Sequence, residues 1–582
     1  MPDGVEAKAQ PFPFALPQIN ISAYQLLLSG VLIAAFLTRF VRLGTPGEFY
    51  FDETYFPRTA QEIYRGDPAA WQFYGHENTH PPLSKEFMAG SMAIFEFADD
   101  IAPPLVPGQG GVENAYAWRF FGALAGVGSV LFMYLLARKL FDSEIAGLAA
   151  AFILTCEGVV FAQSRIATPD TFLLFFMLGC VYFLVTDRFL FSGVFFGAAL
   201  ACKYVASLTA VPIVLYLVWK LITRLREQPR EERMKWFEIA LPAGIALLYT
   251  GLAFVLVGFL GRTPDTKPGL FDGLGAADYA GWLLVSMAGG SIVAGVAGLV
   301  KQRMQAGRTG PLLTPQGRTC LEIVLVVAVF FIIVPGSVFL STYIPMLWHA
   351  EYRGGFLGIG SIIHLNRQAY DFHSNLDQPH PYSSTWDVWP IMGRPIFFYL
   401  KSGSDTEKIY SLGNPLVFWA SLPALAFVLW QALRYVGARV EASRVLLLWG
   451  RLPTRQAALL FVILSYLGLW LPWAIQQETG GRVLFIYHYL PALSFAILAL
   501  AYTVDWLWRR EEQWGKYLAG GYLLAVAVTF AYFYPHLSAL DVPGWLERTY
   551  YWDWLSDLWP SSWLPGWLTD WLGIDRSPFN WH

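Results

Sequence analysis

The sequence predicts an all-α membrane protein that crosses the bilayer many times. Of its 582 residues, 55% are hydrophobic, 17% are aromatic and only 14% are charged, which is too apolar for an ordinary soluble protein. Runs of about 20 mostly apolar residues, the length that spans a bilayer core, recur along the chain. They predict about thirteen spanning helices, near residues 24–41, 116–137, 144–162, 171–186, 190–204, 206–221, 237–260, 279–300, 320–342, 414–434, 456–474, 483–504 and 517–534.

These spans divide the chain into a tail at residues 1–20, one transmembrane domain at 21–535 and a second tail at 536–582. Two loops are long, 44–115 and 343–412. In the first loop, the spacing of apolar residues predicts short helices lying along the membrane interface near 54–64 and 84–97. The second tail is rich in tryptophan, which prefers the headgroup zone: Trp545, Trp552, Trp554, Trp559, Trp563, Trp567, Trp571 and Trp581. An interfacial skirt and a docking surface for another protein both fit this tail.

Lys and Arg concentrate in alternate loops, and such loops face the cytoplasm. This pattern predicts a multi-pass protein of the cell membrane with a cytoplasmic N-terminus and with both long loops and the C-terminus outside. The N-terminus lacks the pattern of a cleaved signal peptide, so the first span is expected to be retained. The net charge of −3 argues against a nucleic-acid partner. The four cysteines lie in or beside apolar segments, which is typical of buried thiols.

Residues 76–80 read HENTH and match the HExxH string of zinc proteases, which requires both histidines on one continuous helix. Pro81 and Pro82 follow directly, and a residue before proline is driven away from helical angles. The sequence therefore predicts no zinc site here.

Asp52 and Glu53 are adjacent carboxylates in the first long loop. Mutual repulsion raises the pKa of one member of such a pair unless a cation compensates, and a carboxylate with a raised pKa suits general-base work. An acidic cap of the helix expected from Thr54 is an equally good interpretation.

Several charges lie within or at the edge of the apolar spans, where an isolated charge is costly and marks a pairing or a functional cavity. Arg119, Arg165, Asp170 and Lys203 are of this kind, and the three cations among them together could neutralise an anionic headgroup. An Arg165–Asp170 ion pair that only fixes helix packing is the alternative. Residue types that line sugar sites, aromatic rings and polar edges, occur in the outer segments: His373, His380, Trp386, Arg394, Arg482, Tyr487 and His488.

Taken in order, ten segments resemble the protein O-mannosyltransferase family over roughly residues 20–510. They read FDETYF, HPPLSK, WRFFGAL, SRIATPD, CKYVASLT, FHSNL with HPYSS, WPIMGRPIFFY, LGNPLVFW and RVLFIYHYLPAL. The resemblance implies the C-type glycosyltransferase (GT-C) fold, with the active site beneath the first outer loop. The family's eukaryotic members insert a β-trefoil module in the second outer loop, and 343–412 is too short for one, so the chain resembles a bacterial form.

The resemblance implies an inverting transfer of mannose, or another hexose, from a polyprenyl-phosphate donor to Ser or Thr of an exported protein. It makes Asp52 the base and Glu53 its support. Arg119 matches an arginine associated with the lipid phosphate, and His80 and Lys85 match a segment near the donor, with Ser84 where glycine is usual. Lys85 and Arg482 are further candidates for the phosphate, and no metal or other cofactor is expected. The alternatives are a same-fold transferase acting on a lipid or glycan and, outside enzymology, a transporter or a noncatalytic subunit of a membrane complex.

Overall fold

The computed structural model describes residues 22–96, 114–228, 235–260, 276–306, 312–353, 358–376, 380–401, 403–404, 406–437, 454–480 and 483–550. Its helices are α1 Ala23–Phe40, α2 Phe56–Arg65, α3 Leu83–Ile94, α4 Tyr116–Phe141, α5 Glu144–Thr155, α6 Gly158–Arg165, α7 Asp170–Val185, α8 Phe189–Cys202, α9 Ala210–Glu227, α10 Trp236–Leu260, α11 Ala276–Ala306, α12 Pro315–Ala328, α13 Val334–Ser341, α14 Ile344–Leu347, α15 Ile359–Ser374, α16 Pro415–Gly437, α17 Thr454–Trp470, α18 Pro472–Gly480, α19 Leu490–Trp508, α20 Gln513–Ser538 and α21 Gly544–Glu547.

The positions of the spanning helices agree with the prediction better than their number does. Each of the thirteen apolar segments falls on a helix or on two consecutive helices. Within the described ranges, nine helices are long and apolar enough to cross a membrane, or ten if the bent pair α5–α6 is one span. Helices α7 and α8 have only 16 and 14 residues. The multi-pass architecture is confirmed, whereas the count of thirteen stays a prediction.

The break between α5 and α6 turns the chain by 60° inside the helix bundle. Glu157 stands at the break and is fully buried. Its carboxylate accepts hydrogen bonds from the backbone N–H of Val160, at 2.7 Å, and of Asn414, at 3.2 Å. A carboxylate at a helix N-terminus satisfies amide groups that have no partner within the helix. The break is therefore a capped start of a new helix, and α6 ends at Arg165 before the extended segment that leads to Pro169.

Both helices predicted in the first long loop are present as α2 and α3. Pro57 lies in the first turn of α2, where proline costs nothing, and Gly66 ends it at φ +70°, which favours glycine. Residue 97, the predicted end of the second helix, lies outside the described residues. A short 3₁₀ turn, Phe51–Thr54, precedes α2 and carries both adjacent carboxylates.

The second long loop contains a feature that the all-α prediction misses. Strands β1, Ile396–Leu400, and β2, Lys408–Ser411, form an antiparallel hairpin, with an irregularity in register between Phe397 and Tyr399. The ring of Phe398 lies 4.5 Å from that of Phe51, and the ring of Tyr399 lies 5.9 Å from that of Tyr50. The hairpin therefore packs directly against the residues that precede Asp52.

The end of the described chain is fastened to the other side of this hairpin. Glu547, on α21, is buried and bridges two side chains, because its Oε1 lies 2.8 Å from Lys408 Nζ and its Oε2 lies 2.9 Å from His536 Nε2. We call Lys408, His536 and Glu547 the C-terminal latch. The tryptophans predicted to form an interfacial tail lie outside the described residues, except Trp545, which is 64% exposed.

Candidate active site

The largest described cavity, about 710 Å³, lies where the first loop meets the α6–α7 connection, the end of α8, α15 and residues 483–488. Its wall includes Asp52, His80, Asp170, Lys203, His373, Phe485, Tyr487 and His488. A neighbouring cavity of about 490 Å³, bordered by Tyr204, Leu208 and Trp473, shares four of these residues. The two spaces adjoin at these shared residues and together make up the candidate site.

Asp52 presents a half-buried carboxylate to this cavity. No described residue donates a hydrogen bond to it. Burial raises the pKa of Asp52 to about 7, against the opposing effect of the Lys203 ammonium group and with help from Asp170 and Glu77. A raised pKa was predicted for one member of the Asp52–Glu53 pair, but its cause is burial rather than repulsion by Glu53.

The alternative role for Asp52, a helix cap, is not realised. Asp52 lies inside the 3₁₀ turn, and α2 begins at Phe56, after a capping residue, Tyr55, that makes no side-chain hydrogen bond to the helix. The carboxylate is therefore available to a molecule in the cavity.

Glu53 points away from the cavity and is fully buried with Arg119. The two side chains form a bidentate ion pair, with Nε–Oε1 at 2.7 Å and Nη2–Oε2 at 2.6 Å. Glu53 Oε1 also accepts the backbone N–H of Ala167 at 3.0 Å. Glu53 thus ties the 3₁₀ turn to the connection between α6 and α7.

Arg119 was predicted to contact the donor phosphate, and the structure places it differently. Its remaining N–H groups donate to the carbonyls of Leu43, Pro46 and Glu48, at 2.7 to 3.3 Å, so all five N–H groups end on the protein. Its guanidinium carbon lies 4.9 Å from the centre of the Tyr50 ring. Arg119 does not line the described cavity and instead organises the backbone that leads to Asp52.

Arg165 and Asp170 do not pair with each other, which overturns the alternative interpretation of these two residues. Arg165 donates to the carbonyls of Thr38, Arg39, Val41 and Arg42, at 2.8 to 3.2 Å, where α1 ends. A guanidinium group here satisfies carbonyls that α1 leaves without partners. Asp170 pairs with Lys203 instead, at 2.8 and 3.0 Å.

Arg58 and Lys203 are the Arg and Lys side chains that line the described cavity, and Arg58 donates to the Gly75 carbonyl and pairs with Glu62. The sequence identified Lys203 only as one of several intramembrane charges. Its Nζ lies 4.9 Å from the centre of the Tyr487 ring, and it lines both parts of the site. A charged residue that interrupts an apolar run, as in ALACKYVAS, is the signal that could have ranked it higher. Phe485, between the predicted Arg482 and Tyr487, was also missed.

Lys85 is fully buried beneath the loop rather than facing the cavity. Its ammonium group donates to the Glu77 carbonyl, and it lies 3.1 Å from Glu77 Oε2, Asn78 Oδ1 and the His80 carbonyl. Burial opposes ionisation of Glu77, but the Lys85 ammonium, His80 and the hydrogen bonds from His80 and Thr79 together outweigh it, and the pKa of Glu77 is lowered. Lys85 therefore fixes the conformation of the loop, and it does not face the cavity as the predicted phosphate ligand would.

The HENTH segment is not helical, as its prolines predict. His76 Nδ1 lies 2.6 Å from Glu62 Oε2, whereas His80 Nδ1 lies 3.0 Å from Glu77 Oε1. The two histidines thus pair with different carboxylates. In the described part of the chain, no group of three or more His, Cys, Asp or Glu side chains is arranged to hold a metal ion.

His80 and His373 meet in the cavity wall, with ring centres 5.0 Å apart. His373 Nε2 contacts the Thr79 carbonyl at 2.8 Å. Burial lowers the pKa of His80, which favours a neutral ring. His488 is buried, and its Nδ1 lies close to the Phe485 backbone.

The other predicted outer residues are more scattered. His380 packs on Phe51 and Phe485 at ring distances of 6.3 and 5.0 Å, behind the cavity wall. Trp386 packs on Trp470. Arg394 is exposed, and its backbone has a φ of +52°. None of the three lines the described cavity. Arg482 lies outside the described residues.

The chain matches two family models in succession. Residues 30–257 match the model described as dolichyl-phosphate-mannose-protein mannosyltransferase. Residues 359–559 match the C-terminal four-helix membrane region of protein O-mannosyltransferase. Together these matches take in well over half of the chain and include the first long loop and most of the second.

Known relatives align with this chain over nearly its whole length. The chain is 23% identical to a polyprenol-phosphate-mannose–protein mannosyltransferase of Mycobacterium tuberculosis (strain CDC 1551 / Oshkosh), over 92% of this chain and 90% of the relative. It is also 23% identical to the protein of that name from Mycolicibacterium smegmatis (strain MKD8), over 91% of each chain.

A solved structure shares the fold. A chain of the S. cerevisiae protein O-mannosyltransferase Pmt1-Pmt2 complex, bound to its sugar donor, matches with a TM-score of 0.62 and 13% identity, over 92% of both chains. The expected GT-C fold is thereby confirmed. With both family models, the full-length relatives and the shared fold in agreement, the chain belongs to the protein O-mannosyltransferase family of membrane glycosyltransferases.

Proposed function

We propose that this protein transfers mannose from a polyprenyl-phosphate carrier to Ser or Thr hydroxyls of exported proteins, at the outer face of the cell membrane. The observation that carries this proposal is Asp52, a carboxylate without a described hydrogen-bond donor, at a cavity that also holds the Lys203–Asp170 pair. The names of the full-length relatives support the donor and acceptor classes. The distribution of Lys and Arg supports the outer face.

In the proposed step, Asp52 takes the proton of the acceptor hydroxyl while the hydroxyl oxygen attacks the anomeric carbon. The new bond joins that carbon to the acceptor oxygen, and the bond to the carrier phosphate breaks on the opposite side, so the configuration inverts. A base with a pKa near neutrality combines a useful ionised fraction with useful basicity.

The leaving phosphate gains negative charge, which a fixed cation stabilises. Lys203 supplies that cation in this proposal, in place of Arg119 and Lys85. Asp170 accepts two of its three ammonium protons and so aims the group, which leaves one proton for a phosphate oxygen. The apolar extension beside Tyr204 and Leu208 is suited to the first units of the carrier lipid.

Glu53 and Arg119 act as positioning residues for Asp52 rather than as ligands. Their ion pair connects the 3₁₀ turn to α4, and Ala167 connects the same carboxylate to the segment just before Asp170. The pair thus sets the distance between the base and the Asp170–Lys203 pair.

The test is transfer of labelled mannose from a short polyprenyl-phosphate donor to a Ser/Thr-containing peptide by the purified full-length protein. Asp52→Asn should lower turnover by about two to four orders of magnitude and leave donor binding within a few-fold of wild type. Asp371→Asn makes the same chemical change at a carboxylate that is 50% exposed and outside the cavity wall. Turnover of that variant should equal that of wild type.

Turnover of Asp52→Asn near the wild-type rate would overturn the assignment of the base. Lys203→Met should instead weaken donor binding, and unchanged affinity would refute its phosphate contact. Label that appears on membrane lipid and never on peptide would refute the protein acceptor while leaving the base assignment intact.

A further inference from the structure

A second cavity lies at the opposite end of the same helices that build the active site. It measures about 370 Å³ and is lined by the ends of α4, α7 and α9 and by the start of α17. Helix α7 begins at Asp170 in the active-site cavity and ends at Val185 in this one. Sixteen residues of helix separate the two by about 24 Å, so the cavities open near opposite membrane faces.

Its lining combines an apolar floor with a cationic rim. Val185, Ala457, Ala458 and Phe461 are buried at the floor. The rim carries Lys139, Lys220 and Arg224 against Asp187 and Glu227, which leaves an excess of one positive charge. Trp219 and Tyr216 stand between rim and floor, at the level where amphipathic rings favour a membrane interface.

The charges of the rim are not all committed to internal pairs. Lys220 is held in place by Asp187, which also accepts the Tyr216 hydroxyl at 2.8 Å. Arg224 makes only a 3.5 Å contact with Glu322 at a site where both side chains are more than 40% exposed, and a pair of that kind contributes little. Lys139 is exposed and has no acceptor among the described residues. Two cations are thus free to meet an anion above an apolar floor.

We infer that this cavity binds the phosphate headgroup of an anionic phospholipid, with an acyl chain on the apolar floor. With the active site at the outer face, as proposed above, the cavity opens at the inner leaflet, where basic pockets between spanning helices bind such headgroups. Trp219, Tyr216 and Phe461 offer contacts that a free phosphate ion does not use, so a lipid is favoured over a soluble anion.

The test is native mass spectrometry of the full-length protein exchanged from vesicles of equal phosphatidylglycerol and phosphatidylcholine into detergent. Wild type should retain one phosphatidylglycerol in preference to phosphatidylcholine. The double variant Lys139→Ala/Arg224→Ala should weaken that retention by about thirtyfold. It leaves Lys220, Asp187 and the active site untouched, so mannose transfer by that variant in detergent, measured in parallel, reports whether the fold is intact.

The matched control is Lys301→Ala/Arg434→Ala, which removes two exposed cations that are on the same predicted face but outside the cavity. It should retain phosphatidylglycerol as wild type does. Equal loss in both double variants would overturn the proposal in favour of general charge attraction. Equal retention of both lipids by wild type would also overturn it. Full displacement of phosphatidylglycerol by inorganic phosphate alone would identify a soluble anion as the ligand and refute the lipid assignment.

Discussion

Asp52 and Glu53 are neighbours in sequence, yet burial gives them different chemistry. Glu53 is neutralised by a bidentate guanidinium group, whereas Asp52 lies in the cavity with a pKa raised to about 7. A carboxylate paired in this way is fixed and unreactive, and one that is half-buried without donors is basic. In this proposal Glu53 positions the turn and Asp52 accepts the proton.

The raised pKa of Asp52 predicts a specific pH profile. Because the carboxylate must be ionised to accept a proton, turnover at saturating donor should rise with pH through about 7 and then level off. The measurement is initial rate against pH with donor and peptide held constant. A rate that is flat or falling between about pH 6 and about pH 8 would contradict the assignment.

Removing the partner of a buried ion pair leaves an uncompensated charge. Glu53→Gln should therefore lower the free energy of unfolding by about 3 kcal/mol or more, through Arg119. The measurement is thermal unfolding in detergent. Glu322→Gln makes the same change in an exposed pair with Arg318 and should cost less than about 1 kcal/mol. Similar shifts for both variants would show that Arg119 does not depend on Glu53.

At the scale of elements, α6 is held against the second loop by a residue with no side chain. A Cβ on Gly158 would collide with the carbonyl oxygen of Leu412, which is backbone and cannot turn aside. Gly158→Ala should therefore displace α6 and lower both the Tm and transferase activity. Gly336→Ala, in helix α13 with open space around it, should keep or slightly raise the Tm. A Tm for Gly158→Ala equal to that of Gly336→Ala would refute this packing.

The C-terminal latch joins the end of the described chain to the hairpin that packs on Phe51. Glu547→Gln should weaken both of its contacts, loosen β2 and reduce turnover several-fold while donor affinity stays close to wild type. Faster amide exchange in residues 408–411 is the measurement that separates this effect from simple loss of fold. Asp541→Asn, which alters an exposed contact with Thr406, is the control. Unchanged exchange in Glu547→Gln would show that the latch does not brace the hairpin.

At the scale of the whole molecule, hydropathy located the spans because a bilayer imposes one length on every crossing. It did not find the hairpin, since IFFYL and KIYS have only five and four residues, and periodicity cannot distinguish so short a strand from helix. The bend at Glu157 was also missed. Glu157 caps α6 locally through the Val160 N–H, and its buried carboxylate also has a partner 257 positions away, Asn414, that the sequence does not show.

Within the site, local pattern and the family resemblance selected Asp52, but they could not assign partners. Arg119, Arg165 and Lys85 carry the right charge for a phosphate, yet each uses its donors on backbone or side chains that only the fold brings near. Which of several buried cations faces a cavity is a tertiary property. Lys203 illustrates this, because the apolar run that it interrupts marks an unusual charge but does not show that the charge faces a cavity.

The short segment from Arg165 to Ala167 also determines how the active site responds to bilayer thickness. It holds the end of α1 through the Arg165 guanidinium group, accepts the Tyr50 hydroxyl on its carbonyl and donates to Glu53 from Ala167. Because these contacts lie inside the protein, hydrophobic mismatch should be absorbed by tilting of peripheral helices rather than by separation of Asp52 from Lys203. Transfer rates in vesicles of shorter and longer acyl chains should therefore stay within about twofold of one another, and a steep optimum at one chain length would show that the active site itself responds to membrane thickness.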